Sequence, residues 1–347
     1  MAENTFFAEI HQELQAKTAP VGKWNIPLFY PGGSIAEHRH TRGGASIFDM
    51  SCSRIFQITG SDTAKKLDSY LSGKVAKMAV GCCMENILLH ENGTFALLFT
   101  LCRMQENDFM LLTEVGSPDK EISYMLDIFS KLLEVRELTG AMAHLAVIGK
   151  KSEESLHTAG AENLPENGKW AMITVKDDED DEYRAIAIRH DRFGEMGFEL
   201  CCNAALALEF YGALYHVNGL SPAGWQAWES LRIESGTPGV PGELNEKVFP
   251  QECGFFPDME QNLPESFTPR KLVVVDLERY PAQPGSTAIF PGNVSAVVTS
   301  SAFCPVAGCA RAICLTEATG GWEKGDPVTL SVNGKEVRGI ISGKIDS

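Results

Sequence analysis

The sequence predicts an α+β protein of more than one domain. Its 347 residues, 44% of them hydrophobic, are more than one ordinary core organises. Helix-period and strand-period segments alternate as far as about residue 265. Beyond that point the pattern becomes short β-rich runs divided by Gly and Pro turns, the spacing of a small all-β sandwich or barrel.

Taken in order, Phe6 to Ala16 reads as an amphipathic helix, and Gly22 to Gly44, rich in Gly, His and Pro, as irregular chain. Arg54 to Thr59 alternates like a strand. Ser61-Asp62 then offers a cap for a helix running to about Leu71. The apolar runs Ile87–His90 and Thr94–Cys102 flank Glu91-Asn92-Gly93, a hairpin signal. Phe109–Val115 reads as a strand and Pro118–Val135 as a helix with one broad apolar face. Ala143–Ile148 follows as a buried strand and Ser152–His157 as a short helix. The acidic run Lys176 to Glu182 is a solvated turn. Strands Tyr183–Ile188 and Phe198–Cys202 bracket a tight turn at Asp191–Gly197, and helices Ala204–His216 and Pro222–Glu234 follow. Gly236–Phe256 reads as loop. The last strands fall at Lys271–Leu277, Asn293–Thr299, Ala310–Glu317, Pro327–Val332 and Lys335–Ile341, the final two joined by an Asn333-Gly334 type I′ turn.

A net charge of −16 argues against nucleic acid or an anionic membrane as partner, since phosphate surfaces demand clustered Lys and Arg. The N-terminus has no basic region followed by an apolar run, and no stretch approaches the ~18 apolar residues of a membrane span. A cytoplasmic location is expected. The ten cysteines show no CxxC and no zinc spacing, so they read as free thiols. No metal site is expected. Gly32-Gly33 matches neither a P-loop nor a dinucleotide fingerprint, and no G-x-S-x-G marks a serine nucleophile.

The stretch Gly197 to Gly254 carries a family resemblance. Ser230-Leu-Arg-Ile-Glu-Ser-Gly236, then Glu243-Leu-Asn-Glu246, then Phe249-Pro-Gln-Glu-Cys-Gly254 resemble the S-L-R-L-E-A-G, E-L-D-E and T-P-x-E-A-G segments of the glycine-cleavage T-protein (aminomethyltransferase) family of folate-dependent one-carbon transferases. Gly194-Glu-Met-Gly-Phe-Glu199 resembles its G-E-D-G-x-E turn, and Ile47-Phe48-Asp49-Met50-Ser51 its L-F-D-V-S. Phe56 to Asp62, Glu37-His38 with Thr41-Arg42, and Val298 to Pro305 match further segments in the right order. The resemblance implies a three-domain cloverleaf around a central folate-sized hole. Residues 1–52 plus 140–265 would form a split α/β folate-binding domain, 53–139 an inserted α/β domain, and 266–347 a β-barrel-like domain.

The resemblance also implies a site, and the sequence departs from it. The family's folate-binding Glu falls on Glu199, whose carboxylate suits the parallel N–H edge of a pterin. The Asp-containing G-G-x-x-D-D-L segment falls on Gly93 to Leu98, where Ala96 and Leu97 replace both carboxylates, so no catalytic residue is identified. A family Asn falls on Glu114, an Arg on Trp228, and a Tyr on Arg192. Glu199, Glu114 and Arg192 are therefore the expected cofactor-binding residues and Trp228 the substrate-binding one, with tetrahydrofolate as cofactor. The expected activity is transfer of an aminomethyl or methyl group to tetrahydrofolate. A non-glycine methyl donor, held by the aromatic face of Trp228 and a carboxylate, suits the missing Asp. The alternative is a non-catalytic folate binder or a degenerate paralogue. A lipoyl carrier protein is the implied partner of an aminomethyl transferase.

Overall fold

A computed structural model describes residues 2–217, 219–254, 270–278, 280–317, 321–332 and 334–344. In chain order the elements begin β1 (Glu3–Asn4), α1 (Ala8–Glu13), β2 (Lys17–Val21), β3 (Trp24–Phe29), α2 (Ser34–Gly43) and β4 (Ala45–Asp49). They continue β5 (Ile55–Thr59), α3 (Thr63–Asp68), β6 (Cys83–Leu89), β7 (Phe95–Gln105), β8 (Asp108–Thr113), α4 (Asp119–Phe129) and β9 (Glu134–Glu137). Next come β10 (Met142–Ile148), α5 (Ser152–Thr158), β11 (Trp170–Lys176), β12 (Glu182–Arg189), β13 (Gly197–Asn203), α6 (Ala207–Tyr215), β14 (Leu220–Pro222) and α7 (Trp225–Ser235). The chain ends in β15 (Arg270–Leu277), β16 (Thr287–Phe290), β17 (Val294–Cys304), β18 (Cys309–Glu317), β19 (Pro327–Val332) and β20 (Lys335–Lys344).

The chain forms two compact units, Met1–Leu88 with Leu97–Trp228, and Leu89–Ala96 with Glu229–Ser347. The first is built on a three-stranded sheet ordered β1-β3-β2, a six-stranded sheet β11-β12-β13-β10-β4-β14 and a five-stranded sheet β6-β7-β8-β5-β9. Along β13 the side chains alternate between faces. Phe198, Leu200 and Cys202 enter one apolar core with Leu145, Val147 and the α6 residues Phe210, Tyr211 and Leu214. Cys201 and Ile188 point the other way, into a core with Ile55, Cys102, Met110 and Leu112 of the five-stranded sheet. Glu199 lies on this second face, directly paired with Ala146 of β10.

The second unit contains the closed barrel β15-β18-β17-β16-β19-β20. It is filled by Val273, Val275, Phe290, Val298, Ala312, Leu330 and Ile341, the inward half of each alternating strand. The β-rich C-terminus is thus a barrel, and the expected strands are present with β16 added to them. The boundary expected at 265/266, and Asn333 of the expected turn, lie outside the described residues.

Several expected elements are corrected. Gly22–Gly44 contains β3 and α2. Pro27 is tolerated because β1 pairs only with Trp24 and Asn25, while on the β2 side Pro27 meets Thr18 beside an irregularity in register. The helix of Pro118–Val135 ends at Phe129, and Val135 joins β9 on the edge of the five-stranded sheet against β5. Sheet pairing there outweighs the helical period. The helix from Ser61-Asp62 spans only Thr63–Asp68, and Asp62 makes no side-chain cap. Asn107 Oδ1 accepts the Thr63 amide instead, at 3.3 Å. Among the described residues no helix is long and apolar enough to cross a membrane, and no group of three or more His, Cys, Asp or Glu is placed to hold a metal ion.

Candidate functional site

The turn after β12 sets up the site. Phe193 and Gly194 both adopt left-handed backbone, with φ of 56° and 75°, as a two-residue hairpin turn requires. Gly194 adopts this freely and Phe193 at a cost of about 1 kcal/mol or more. Arg42 of α2 fastens the turn, its Nη1 donating to Phe193 O at 2.7 Å and to Glu195 Oε1 at 2.8 Å. Gly197 closes it, since a Cβ there would fall on the His190 carbonyl oxygen. Two motif segments quoted above, Thr41-Arg42 and Gly194–Glu199, therefore meet in space.

This turn aims Arg192 at Glu199. Arg192 donates to Glu199 Oε1 through Nη2 at 2.6 Å and Nε at 3.0 Å, and through Nη1 to Glu114 Oε2 at 3.0 Å. Its guanidinium carbon lies 5.5 Å from the centre of the Trp228 ring. That ring is buried edge-on between Phe48 and Phe193, at 5.4 and 4.9 Å. The structure thus brings Glu199, Glu114, Arg192 and Trp228 together in one cluster. The cation facing Trp228 and Glu114 is the chain's own Arg192, so an external cation would have to displace it.

Three further residues belong to the cluster and went unnoticed in the sequence. His190, at the end of β12, donates from Nδ1 to Glu199 Oε1 at 3.0 Å, and its Nε2 lies 3.5 Å from Glu85 Oε1. His144 of β10 places Nε2 3.3 Å from Glu199 Oε2 without hydrogen-bond alignment, while its Nδ1 contacts Ser53 Oγ at 2.6 Å. No local motif marks these residues. The pairing of β10, β12 and β13 makes the two histidines neighbours of Glu199, and Glu85 arrives from β6 of the five-stranded sheet.

Electrostatics follow from this packing. Burial alone would raise the Glu199 carboxyl, but Arg192, His144 and His190 outweigh it and hold the carboxyl well below the usual range. Burial and Arg192 would lower His190, yet Glu199 and Glu85 push it up to about 9. Glu85 is lowered, because His190 overcomes its burial. Arg192 is raised further, its burial outweighed by Glu114, Glu199 and Glu85. At neutral pH the site therefore holds an ionised acceptor, Glu199, beside two fixed cations. A carboxylate so stabilised is a poor proton acceptor and a good hydrogen-bond acceptor. Next to it lies a cavity of about 280 Å³ lined by Cys83, Glu85, Thr100, Asn167, His190 and Asp191, among others.

Other sequence candidates are structural. His40 Nε2 contacts the carbonyls of Ala45 and Gly219 at 3.1 and 3.0 Å. Asp177 of the acidic run organises its own turn, accepting from the amides of Glu179 and Asp181 and from the Tyr183 hydroxyl. In the second unit, Glu243 pairs with buried Arg232 at 3.0 Å and Glu252 with Arg270 at 2.6 Å.

Residues 7–256 match the family model described as the GCVT N-terminal domain. The "Aminomethyltransferase" of Aquifex aeolicus is 27% identical over 342 residues, covering 96% of this chain and 92% of that protein. That of Symbiobacterium thermophilum is 26% identical, covering 97% and 92%. The crystal structure of glycine cleavage system aminomethyltransferase T from Bartonella henselae shares the fold, with a TM-score of 0.83 over 99% of this chain and 97% of that one, at 23% identity.

Proposed function

The chain belongs to the family of the GCVT N-terminal domain, and from that premise we propose that it is a tetrahydrofolate-dependent one-carbon transferase related to the aminomethyltransferases. The observation that carries this reading is Glu199, buried at the end of the matching turn and held ionised by Arg192 and His190. An ionised carboxylate accepts the paired N–H groups of a pterin edge. The donor set fits that role: the Arg192 and His190 contacts gather on Oε1, His144 Nε2 lies 3.3 Å from Oε2, and Oε1 can exchange its Arg192 contacts while Arg192 keeps Glu114. Tetrahydrofolate, when bound, supplies the nucleophilic nitrogen that receives the one-carbon unit. The chain's own residues bind and orient: Glu199 fixes the acceptor, Glu114 and Trp228 hold the Arg192 side chain, and His190 keeps Glu199 charged. On the same reading the chain divides into residues 1–52 with 140–265, 53–139 and 266–347.

The donor is the finer part of the proposal. The family's Asp segment falls on Ala96 and Leu97, both buried and apolar, so no carboxylate there handles a proton on an aminomethyl nitrogen. A methyl group already activated on a quaternary nitrogen or a sulfonium needs no such help, and proximity and desolvation suffice. Substrates of this class fit the chain better than a lipoyl-bound aminomethyl group, whose delivery would require a lipoyl carrier protein. The test is formation of methyl-tetrahydrofolate from trimethylammonium and dimethylsulfonium compounds. Product from an onium donor is expected. Product only from an aminomethyl donor would reverse the donor assignment, and tetrahydrofolate binding without product from any donor would make the chain a binder.

A further inference from the structure

Each of the ten cysteines is a free thiol, but Cys83 and Cys102 are not independent. Their Sγ atoms lie 2.7 Å apart, on strands β6 and β7 that neighbour each other in the five-stranded sheet. The ladder explains the closeness. Arg103 donates its amide to Cys82 O at 2.9 Å, whereas the Cys83 amide points away from β7, to Gly168 O at 2.7 Å. Cys83 and Cys102 thus face each other at a non-hydrogen-bonded position, where opposed Cα atoms lie only about 4.5 Å apart. A disulfide spans Cα separations of roughly 4.4–6.8 Å, so the bond can form without moving either strand. Access is one-sided. Cys83 lines the 280 Å³ cavity beside Glu85, Thr100 and His190, and Cys102 is fully buried behind it.

We propose that Cys83 and Cys102 form a reversible oxidation site that takes a hydroperoxide through this cavity. The Cys83 thiolate attacks the nearer peroxide oxygen, the O–O bond breaks, and the leaving hydroxide or alkoxide takes a proton as water or alcohol. Cys83 is then a sulfenic acid. The Cys102 sulfur attacks the Cys83 sulfur, the S–O bond breaks, and the departing hydroxide leaves as water with the Cys102 proton. The two sulfurs lose two electrons in total, the peroxide gains them, and a dithiol such as dithiothreitol reverses the bond by exchange. Cys201, in the same core cluster, is the competing resolving thiol.

The full-length protein treated with hydrogen peroxide, alkylated, digested and sequenced by tandem mass spectrometry tests this. The expected result is joint loss of alkylatable thiol at Cys83 and Cys102 and a Cys83–Cys102 linked peptide that dithiothreitol abolishes. Cys83→Ser should leave Cys102 alkylatable after peroxide, and Cys201→Ser should leave the link intact. A link running through Cys201, over-oxidation of Cys83 with Cys102 still alkylatable, or no change at either thiol would overturn the proposal. The wild-type peptide map decides the matter even if a variant fails to fold.

Discussion

Two carboxylates are buried on opposite faces of the six-stranded sheet, and they are held in different ways. Asp49 pairs across β4 and β10 with Leu145, on the face that carries Leu200 and the larger apolar core. It accepts from His11 Nε2 at 2.9 Å and from the Ser51 amide at 2.8 Å, and the Tyr30 hydroxyl meets His11 Nδ1 at 2.9 Å. Its carboxyl is lowered because these contacts outweigh its burial. Each partner does one structural job: α1 and the end of β3 are bolted to β4. Glu199, on the other face, gathers an arginine and two histidines, shares the arginine with Glu114, and adjoins a cavity. Burying a carboxylate therefore does not mark a functional site. The proposal for Glu199 rests instead on two cations packed against it, Arg192 and His190, and on the cavity that His190 lines.

The largest expected effect separates the two. His11→Ala leaves Asp49 buried without its main partner and should cost about 3–5 kcal/mol in denaturant unfolding, with ligand binding unchanged in the folded fraction. A loss below about 1 kcal/mol, the scale of a surface pair, would remove the bolt from the account. Next comes pH. His190 is raised from 6.5 to about 9, so its stabilising contribution is complete below 6.5 and disappears as pH rises through 9. The change should be about 3 kcal/mol and should flatten in His190→Gln, whereas a profile identical in the two proteins would contradict the charged His190. Smaller still, Arg192→Tyr removes the group that competes for Glu199 Oε1. Tetrahydrofolate affinity should rise about fivefold, near 1 kcal/mol, while stability falls; weakened binding would make Arg192 a ligand contact instead. Trp228→Phe should change stability least, by about 1 kcal/mol, the scale of one cation–π contact, and a much larger loss in thermal melting would make Trp228 chiefly a core residue.

Legibility in the sequence divides along the same line. Local patterns gave the hairpin before Thr94, strands β10 and β13, and the barrel strands, because alternation and turn residues act within a few positions. Glu199 was legible through its motif, and Glu114, Arg192 and Trp228 through their departures from the family's residues. His144, His190 and Glu85 were not, since each is an unremarkable residue at a strand position until β6, β10, β12 and β13 assemble. The Cys83–Cys102 contact was hidden for the same reason: strand register is a non-local property. β3 and α2 were missed because Gly, His and Pro in Gly22–Gly44 mimic loop composition, while β3 takes its order from pairing with β1 and β2, and α2 from packing against β4, β14 and β3.

The central claim is that Glu199 is the acceptor for the folate ring. Calorimetric titration of tetrahydrofolate into the native protein and Glu199→Gln tests it most directly. The account predicts saturable binding by the native protein and at least a tenfold loss in the variant, about 1.4 kcal/mol, with the fold retained by circular dichroism. Equal affinity in both proteins, or no heat from the native protein at ~1 mM ligand, would contradict it.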